Sequence, residues 1–240
     1  MQTAIIIGVG PIEGLGAQLC RRFAQKKFHV HVAGRSEAKL DDVVSLIESE
    51  GGQASTCVTD ATDETQVINL FDKATLSGSL ALAVYNVGNN TPGRISEMDA
   101  DSFINSWKSG CYGGFLFARE ATRRMQPNNA GTILFTGASA SLRGRANFGA
   151  FNSAKAALRT LAQALAKEVG PEGIHVGHII IDGSINGEKI KNRFPEYAEK
   201  LGEDGMVDLQ GIVDAYEFMY EQKKSAWSFE IDIRTSIENW

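Results

Sequence analysis

The chain has 240 residues, 24 basic and 29 acidic, for a formal net charge of -5. That length suits one large α/β unit with a substantial core and is short for two. The charge balance supplies no broad positive field for a nucleic-acid backbone or an anionic membrane, so a small molecule is the expected partner, with no nucleic acid and no membrane. The cysteines Cys20, Cys57 and Cys111 are scattered, form no Cys-x-x-Cys pair and are odd in number, which argues against a disulfide framework or a zinc site. No metal is expected, and a reducing cytoplasm is the natural compartment.

The opening segment Met1–Ile7 has no basic leader, and its apolar run breaks at Gly8-Val9-Gly10-Pro11, well short of a membrane span. It reads as a buried first strand. Further strands are predicted at His29–Ala33, Ala54–Val58, Leu80–Tyr85, Gly131–Thr136, His175–Ile181 and Trp227–Ile231, with the first over Ala4–Ile7. Helical periodicity occupies Gly14–Lys26, Glu37–Ser49, Glu64–Leu76, Ser102–Arg124, Phe148–Val169 and Gln210–Tyr220. This alternation predicts an α/β fold: a Rossmann-type, doubly wound, seven-stranded parallel sheet with helices on both faces, a three-layer α/β/α unit forming one domain over 1–240. Only Gly183–Asp208 breaks the rhythm. It is charge-rich but carries Ile190, Phe194, Tyr197 and Leu201 at helical spacing, which suits either a substrate lid over 183–208 or an ordinary surface helix.

After the first strand stands Gly8-Val9-Gly10-Pro11-Ile12-Glu13-Gly14-Leu15-Gly16. A glycine-rich turn opening a helix brings backbone close to a pyrophosphate and aims N–H groups at it. The G-x-G-x-x-G fingerprint fails because Glu13 occupies its third glycine position. Gly10, Gly14 and Gly16 instead have the G-x-x-x-G-x-G spacing of the short-chain dehydrogenase/reductase family, which the chain resembles over nearly its whole length. The resemblance continues at Asp60, similar to the aspartate that bonds the adenine amino group, and at Asn86-Val87-Gly88, similar to the second half of an Asn-Asn-Ala-Gly motif. It is strongest at Phe151-Asn152-Ser153-Ala154-Lys155, similar to the family's Tyr-x-x-x-Lys helix in everything but the tyrosine.

The resemblance implies a nicotinamide dinucleotide held by Gly10, Ile12, Gly14, Leu15, Gly16, Arg35, Asp60, Ala61, Asn86, Gly88 and Lys155. The second strand ends in Ala33-Gly34-Arg35-Ser36, with no acidic residue to accept from a ribose 2′-OH. Arg35 has the donor fork for a 2′-phosphate, so NADP(H) is favoured over NAD(H). Glu13 stands where many NADP-preferring relatives carry a second basic residue, and would either repel that phosphate or pair with Arg35.

Three of the family's four catalytic positions depart from its pattern. Phe151 replaces the proton-transferring tyrosine, Ala138 the substrate-bonding serine, and Gly110 the asparagine; Lys155 alone remains. A phenyl ring has no proton to transfer. Ser139, one residue beyond Ala138, is expected to face the other side of an extended segment. Tyr85, Tyr112, His178 and Asp182 are the candidate replacement donors. Asp182-Gly183 also stands where the family has Pro-Gly.

Two functions follow from the resemblance. One is an NADP(H)-dependent oxidoreductase acting on a double bond conjugated to a carbonyl, where no phenolic acid is needed. The other is a non-catalytic dinucleotide-binding sensor or scaffold module. The resemblance also implies a homo-oligomer, since members of the family usually form homodimers or homotetramers through the helices at Ser102–Arg124 and Phe148–Val169 and the C-terminal strand.

Overall fold

The computed structural model describes residues 1–88, 90, 92–202 and 204–238. Residue 203, inside the 183–208 stretch, and residues 239 and 240 lie outside it. Strands β1 (Gln2–Ile7), β2 (His29–Gly34), β3 (Gln53–Val58), β4 (Ser79–Tyr85), β5 (Gly131–Thr136), β6 (Ile174–Asp182) and β7 (Glu230–Arg234) form one sheet in the order β3-β2-β1-β4-β5-β6-β7. Every neighbouring pair is parallel. Helices α1 (Leu15–Gln25), α2 (Glu37–Ser49), α3 (Glu64–Ser77), α4 (Ala100–Trp107), α5 (Gly113–Met125), α6 (Gly149–Val169), α7 (Glu188–Arg193), α8 (Pro195–Leu201) and α9 (Leu209–Glu221) connect them.

A strand buried on both faces reads as a continuous apolar run, and β1 shows how its residues divide. Ala4 and Ile6 face Leu19 and Phe23 of α1, Leu40 of α2 and Tyr216 of α9. Ile5 and Ile7 face Phe71 of α3, Phe117 of α5 and Leu158 of α6. The predicted three-layer, doubly wound, seven-stranded sheet is therefore the observed one. The strand order reverses direction between β1 and β4, which opens a crevice beyond their C-terminal ends. Among the described residues, no helix is long and apolar enough to cross a membrane.

Three elements differ from their prediction. The last strand begins at Glu230 instead of Trp227, because the Trp227 ring stacks on His175 at 4.8 Å and caps the strand's approach. The long helix predicted over Ser102–Arg124 is α4 and α5 joined through a π-helical turn, Lys108–Tyr112. That turn lets the Tyr85 hydroxyl donate to the Ser109 carbonyl at 2.7 Å. The helical stripe from Ile190 to Leu201 is split into α7 and α8 at Phe194, because Pro195 has no N–H to continue a helix but suits a first turn. A parallel bridge between Ile185 and Val207 ties the ends of this excursion together.

Candidate active site

Gly8 ends β1 with φ +90, and both its N–H and that of Val9 donate to the Ala33 carbonyl at 3.0 Å. A Cβ on Gly8 would lie 2.6 Å from the Asn86 carbonyl carbon, so this left-handed, close-packed position needs glycine. Helix α1 then docks on the turn at Gly16, where a Cβ would meet Val9 Cα at 2.9 Å and the Gly8 carbonyl oxygen at 3.0 Å. Gly14 is the helix N-cap, in extended conformation and with no side-chain cap, so the N–H groups of the first turn remain open. Gly10 is different: nothing lies within 4 Å of its Cβ direction. Ile12 is set back from the cavity wall; its side chain packs on the α1/α9 core and its carbonyl accepts from the Gln18 amide at 2.8 Å.

Asn86 stitches the switch point together. Its amide nitrogen donates to the Gly8 carbonyl at 3.2 Å, and its amide oxygen accepts from the Thr136 hydroxyl at 2.9 Å. The Thr136 hydroxyl also lies 2.5 Å from that of Tyr216. This side chain is consumed inside the fold, joining the ends of β1, β4 and β5. Beside it, the Lys155 ammonium donates to the Thr136 carbonyl at 2.8 Å and the Val87 carbonyl at 3.3 Å. Lys155 is only 4% exposed, and burial pushes its ammonium down to about 8. A Cβ on Gly88 would stand 3.3 Å from that nitrogen, so the glycine gives the lysine its room.

At the other end, Asp60 follows β3. Its Oδ1 accepts from the Thr62 N–H and hydroxyl, both at 2.8 Å. Burial pushes this carboxyl up, but the two Thr62 bonds and the Arg35 charge outweigh it and hold the group below its usual range. Ala61 is buried beside it on the cavity wall. Arg35 is exposed after β2, with no ion-pair partner among the described residues, so pairing between Glu13 and Arg35 is not observed. The Glu13 carbonyl instead accepts weakly from the Glu188 N–H at 3.4 Å, where α7 passes the glycine turn.

These groups line one open cleft of about 1400 Å³, bounded on the far side by Ile190, Phe194, Tyr197 and Leu201. Phe151, Ala138 and Lys155 share its inner wall. Gly110 does not reach it: a Cβ there would come within 2.6 Å of the Ala154 Cβ, so no side chain fits between the π-helical turn and α6. Ser139 departs from expectation. The backbone leaves the extended state after Ala138 and enters a 3₁₀ turn, Ser139–Ser141, so both residues face the cleft.

Of the four candidate replacement donors, three stand off the cleft. Tyr85 is fully buried with its hydroxyl committed to Ser109, and burial pushes its phenol far up. Tyr112 packs near Phe115, with ring centroids 6.3 Å apart. His178 is buried with Nδ1 2.9 Å from a Glu230 oxygen and Nε2 3.5 Å from the Ser141 hydroxyl, and burial pushes it down to about 4. Asp182 does reach the wall, but as the carboxylate of an ion pair: both its oxygens accept from Arg143 Nη2 at 2.9 Å. The donor role expected of these four is therefore not supported by their placement. Arg143, in the β5–α6 connection, was not singled out from the sequence; the pair of arginines in Arg143-Gly144-Arg145 was its only signal.

A family model described as short chain dehydrogenase matches residues 2–197. The chain is 31% identical over 185 residues to an uncharacterized oxidoreductase, YuxG, of Bacillus subtilis (strain 168). That match covers 75% of this chain and 27% of the relative, so the chain spans about a quarter of that protein's length. A crystal structure of a short-chain dehydrogenase from Rhodopseudomonas palustris is 35% identical, with TM-score 0.84, covering 97% of this chain and 98% of that one. A metagenomic short-chain oxidoreductase crystallised with NADP shares the fold at TM-score 0.83 and 18% identity, covering 98% of each chain.

Proposed function

The chain belongs to the short-chain dehydrogenase/reductase family, and from that premise we propose that it is an oxidoreductase that binds NADP(H) in preference to NAD(H) in this cleft. The observation that carries the reading is the contrast between an intact cofactor half and an altered reacting half. Gly10 leaves open space beside the N-terminus of α1, where a pyrophosphate fits. Gly14, Leu15 and Gly16 supply the helix start, Asp60 and Ala61 receive the adenine, and Arg35 faces the ribose 2′-phosphate. Lys155, with two of its three donors used on carbonyls, has one left for the nicotinamide ribose. Asn86 supports the turn and Gly88 clears the lysine.

When bound, the nicotinamide supplies or takes up a hydride. Around it this chain offers Phe151 and Ala138, which hold no substrate oxygen and move no proton. A double bond conjugated to a carbonyl needs neither group, because water entering the open cleft, or the Ser139 hydroxyl, serves the carbon that is protonated. Ile190, Phe194, Tyr197 and Leu201 present an apolar face to the substrate from the far side of the cleft. Steady NADPH oxidation with an unsaturated acyl thioester tests the reading; none across a panel of enones, enoates and enoyl thioesters would count against it.

The absence of a polar side chain at Gly110, Ala138 and Phe151 favours a second reading, a non-catalytic dinucleotide-binding sensor or scaffold module. It predicts tight cofactor binding without turnover, and multiple turnovers on any substrate would remove it. Under either reading the exposed Phe103, Ile104, Trp107 and Phe115 of α4 and α5 support self-association through these helices. A solution mass above that of one chain is the expected result.

A further inference from the structure

Resting on the reading that this cleft holds a cofactor and a small substrate, we propose that Arg143 forms a subsite for an oxyanion, the carboxylate or phosphate group of an anionic substrate. Arg143 is held from three directions. Its N–H donates to the Ser139 carbonyl at 3.1 Å, and its carbonyl accepts from the Asn152 amide at 2.6 Å. Its guanidinium Nη2 donates to both oxygens of Asp182 at 2.9 Å. The residue is thereby fixed between the turn that follows Ala138 and the start of α6, on a cleft that Phe151 also lines.

A guanidinium carries five N–H donors in a planar fork that matches two oxygens of a carboxylate or phosphate. Asp182 engages Nη2 alone, leaving Nη1 and Nε without a partner among the described residues, on a side chain 40% exposed at the cleft wall. The buried Asp182, 2% exposed, orients this fork as a supporting carboxylate orients a ligand-binding group. Arg145 adds a second cation on the same wall, its guanidinium 5.2 Å over the Phe148 ring. The Glu238 carboxylate also lines the cleft, with Oε2 4.0 Å from where a Cβ on Gly183 would stand.

This corner is not the cofactor's phosphate site. Asp182 ends β6, whereas the glycine turn ends β1, and β4 and β5 lie between them. Three strand spacings of ~4.8 Å put the two roughly 14 Å apart. The donors that Phe151, Ala138 and Gly110 no longer supply are thus replaced by a group that cannot transfer a proton but binds charge. Recognition shifts from the reacting oxygen to an anionic group elsewhere on the substrate.

The test is ligand-observed NMR titration with crotonate, its uncharged counterpart crotonamide, and inorganic phosphate, on protein with and without saturating NADP⁺. At least one anion is expected to bind tenfold or more tightly than crotonamide; crotonate leading identifies a carboxylate source, phosphate leading a phosphate ester. Arg143→Gln should abolish that preference, and Arg143→Lys should keep part of it. Because Arg143→Gln removes one of the two guanidinium partners of Asp182, leaving Arg234 Nη1 at 3.6 Å, the double variant Arg143→Gln/Asp182→Asn repeats the test with that carboxylate made neutral. Equal binding of charged and neutral probes, no anion binding, or unchanged preference in the folded double variant would each overturn the subsite. NADP⁺ binding with Arg143-independent anions removes the subsite and leaves the cofactor reading; Arg143-dependent anion binding without NADP⁺ binding does the reverse.

Discussion

Gly110 sits so close to α6 that a Cβ on it would come within 2.6 Å of the Ala154 methyl group. The chain has therefore built its helix packing around the missing asparagine as well as losing it. Gly110→Asn should destabilise by about 1–3 kcal/mol, the usual cost of overpacking, and Ala154→Gly should recover part of that loss. Urea unfolding of the single and double variants checks this; an unchanged midpoint in Gly110→Asn would contradict the packing.

Phe151→Tyr and Ala138→Ser, by contrast, place polar groups on an open wall and should leave the fold intact. Phe151→Tyr alone should not restore full ketone reductase activity, because Ala138 and Gly110 still leave the substrate oxygen poorly held. General acid catalysis is typically worth ~10²–10⁴ in rate. Full recovery from the single change, measured as kcat/KM on a ketone panel, would contradict the assignment of the other two positions.

Gly16 and Gly10 should separate folding from binding. Gly16→Ala meets Val9 Cα at 2.9 Å and the Gly8 carbonyl at 3.0 Å, so it should lower the thermal midpoint. Gly10→Ala meets no protein atom within 4 Å and should leave that midpoint unchanged while weakening NADPH binding, since its methyl enters the space assigned to the pyrophosphate. Equal stability effects from the two would contradict the assignment.

Two buried imidazoles should make the protein acid-sensitive. Burial pushes His178 down to about 4, and His31 likewise, helped by the His29 and Lys73 charges. An unfolded histidine takes its proton near ~6.5, so as pH falls the unfolded chain binds protons before the folded one. Stability is fully present above about pH 6.5 and lost progressively toward pH 4. His178→Gln should flatten that dependence in urea titrations; an unchanged slope would mean that His178 is not neutral in the fold.

Lys155 carries a titration of the same sign at higher pH. Burial pushes its ammonium down to about 8, below the ~10.4 of an unfolded lysine. The unfolded chain binds the extra proton between these values, so stability should rise as pH climbs from about 8 toward 10. NADPH affinity should fall over the same range, as the cation beside the ribose is lost. Lys155→Met should show neither trend, and a trend that survives in it would place the titrating group elsewhere.

Much of this was legible because the physics was local. The apolar runs of β1 and β6 are buried, and the glycine-rich turn Gly8–Gly16 makes its close backbone approach, Gly16 against Val9 and Gly8, inside nine residues. What was not legible depends on distant neighbours. Trp227 reads as strand until its stacking on His175 is seen, and the alternating Glu230–Arg234 is the true edge strand. Ser139 faces the cleft because the backbone curls after Ala138, which alternation arguments cannot foresee. Asp182 reads as a free polar group until Arg143, 39 residues earlier, is found against it. Ile12 and Asn86 fall within the expected motifs, yet their side chains serve the core and the switch point.

The most direct test of the account is a fluorescence titration of the protein with NADPH and NADH in parallel, repeated on Arg35→Ala. NADPH is expected to bind saturably and more tightly than NADH, with the preference lost in Arg35→Ala. Binding of neither dinucleotide would contradict the assignment of the cleft as a cofactor site.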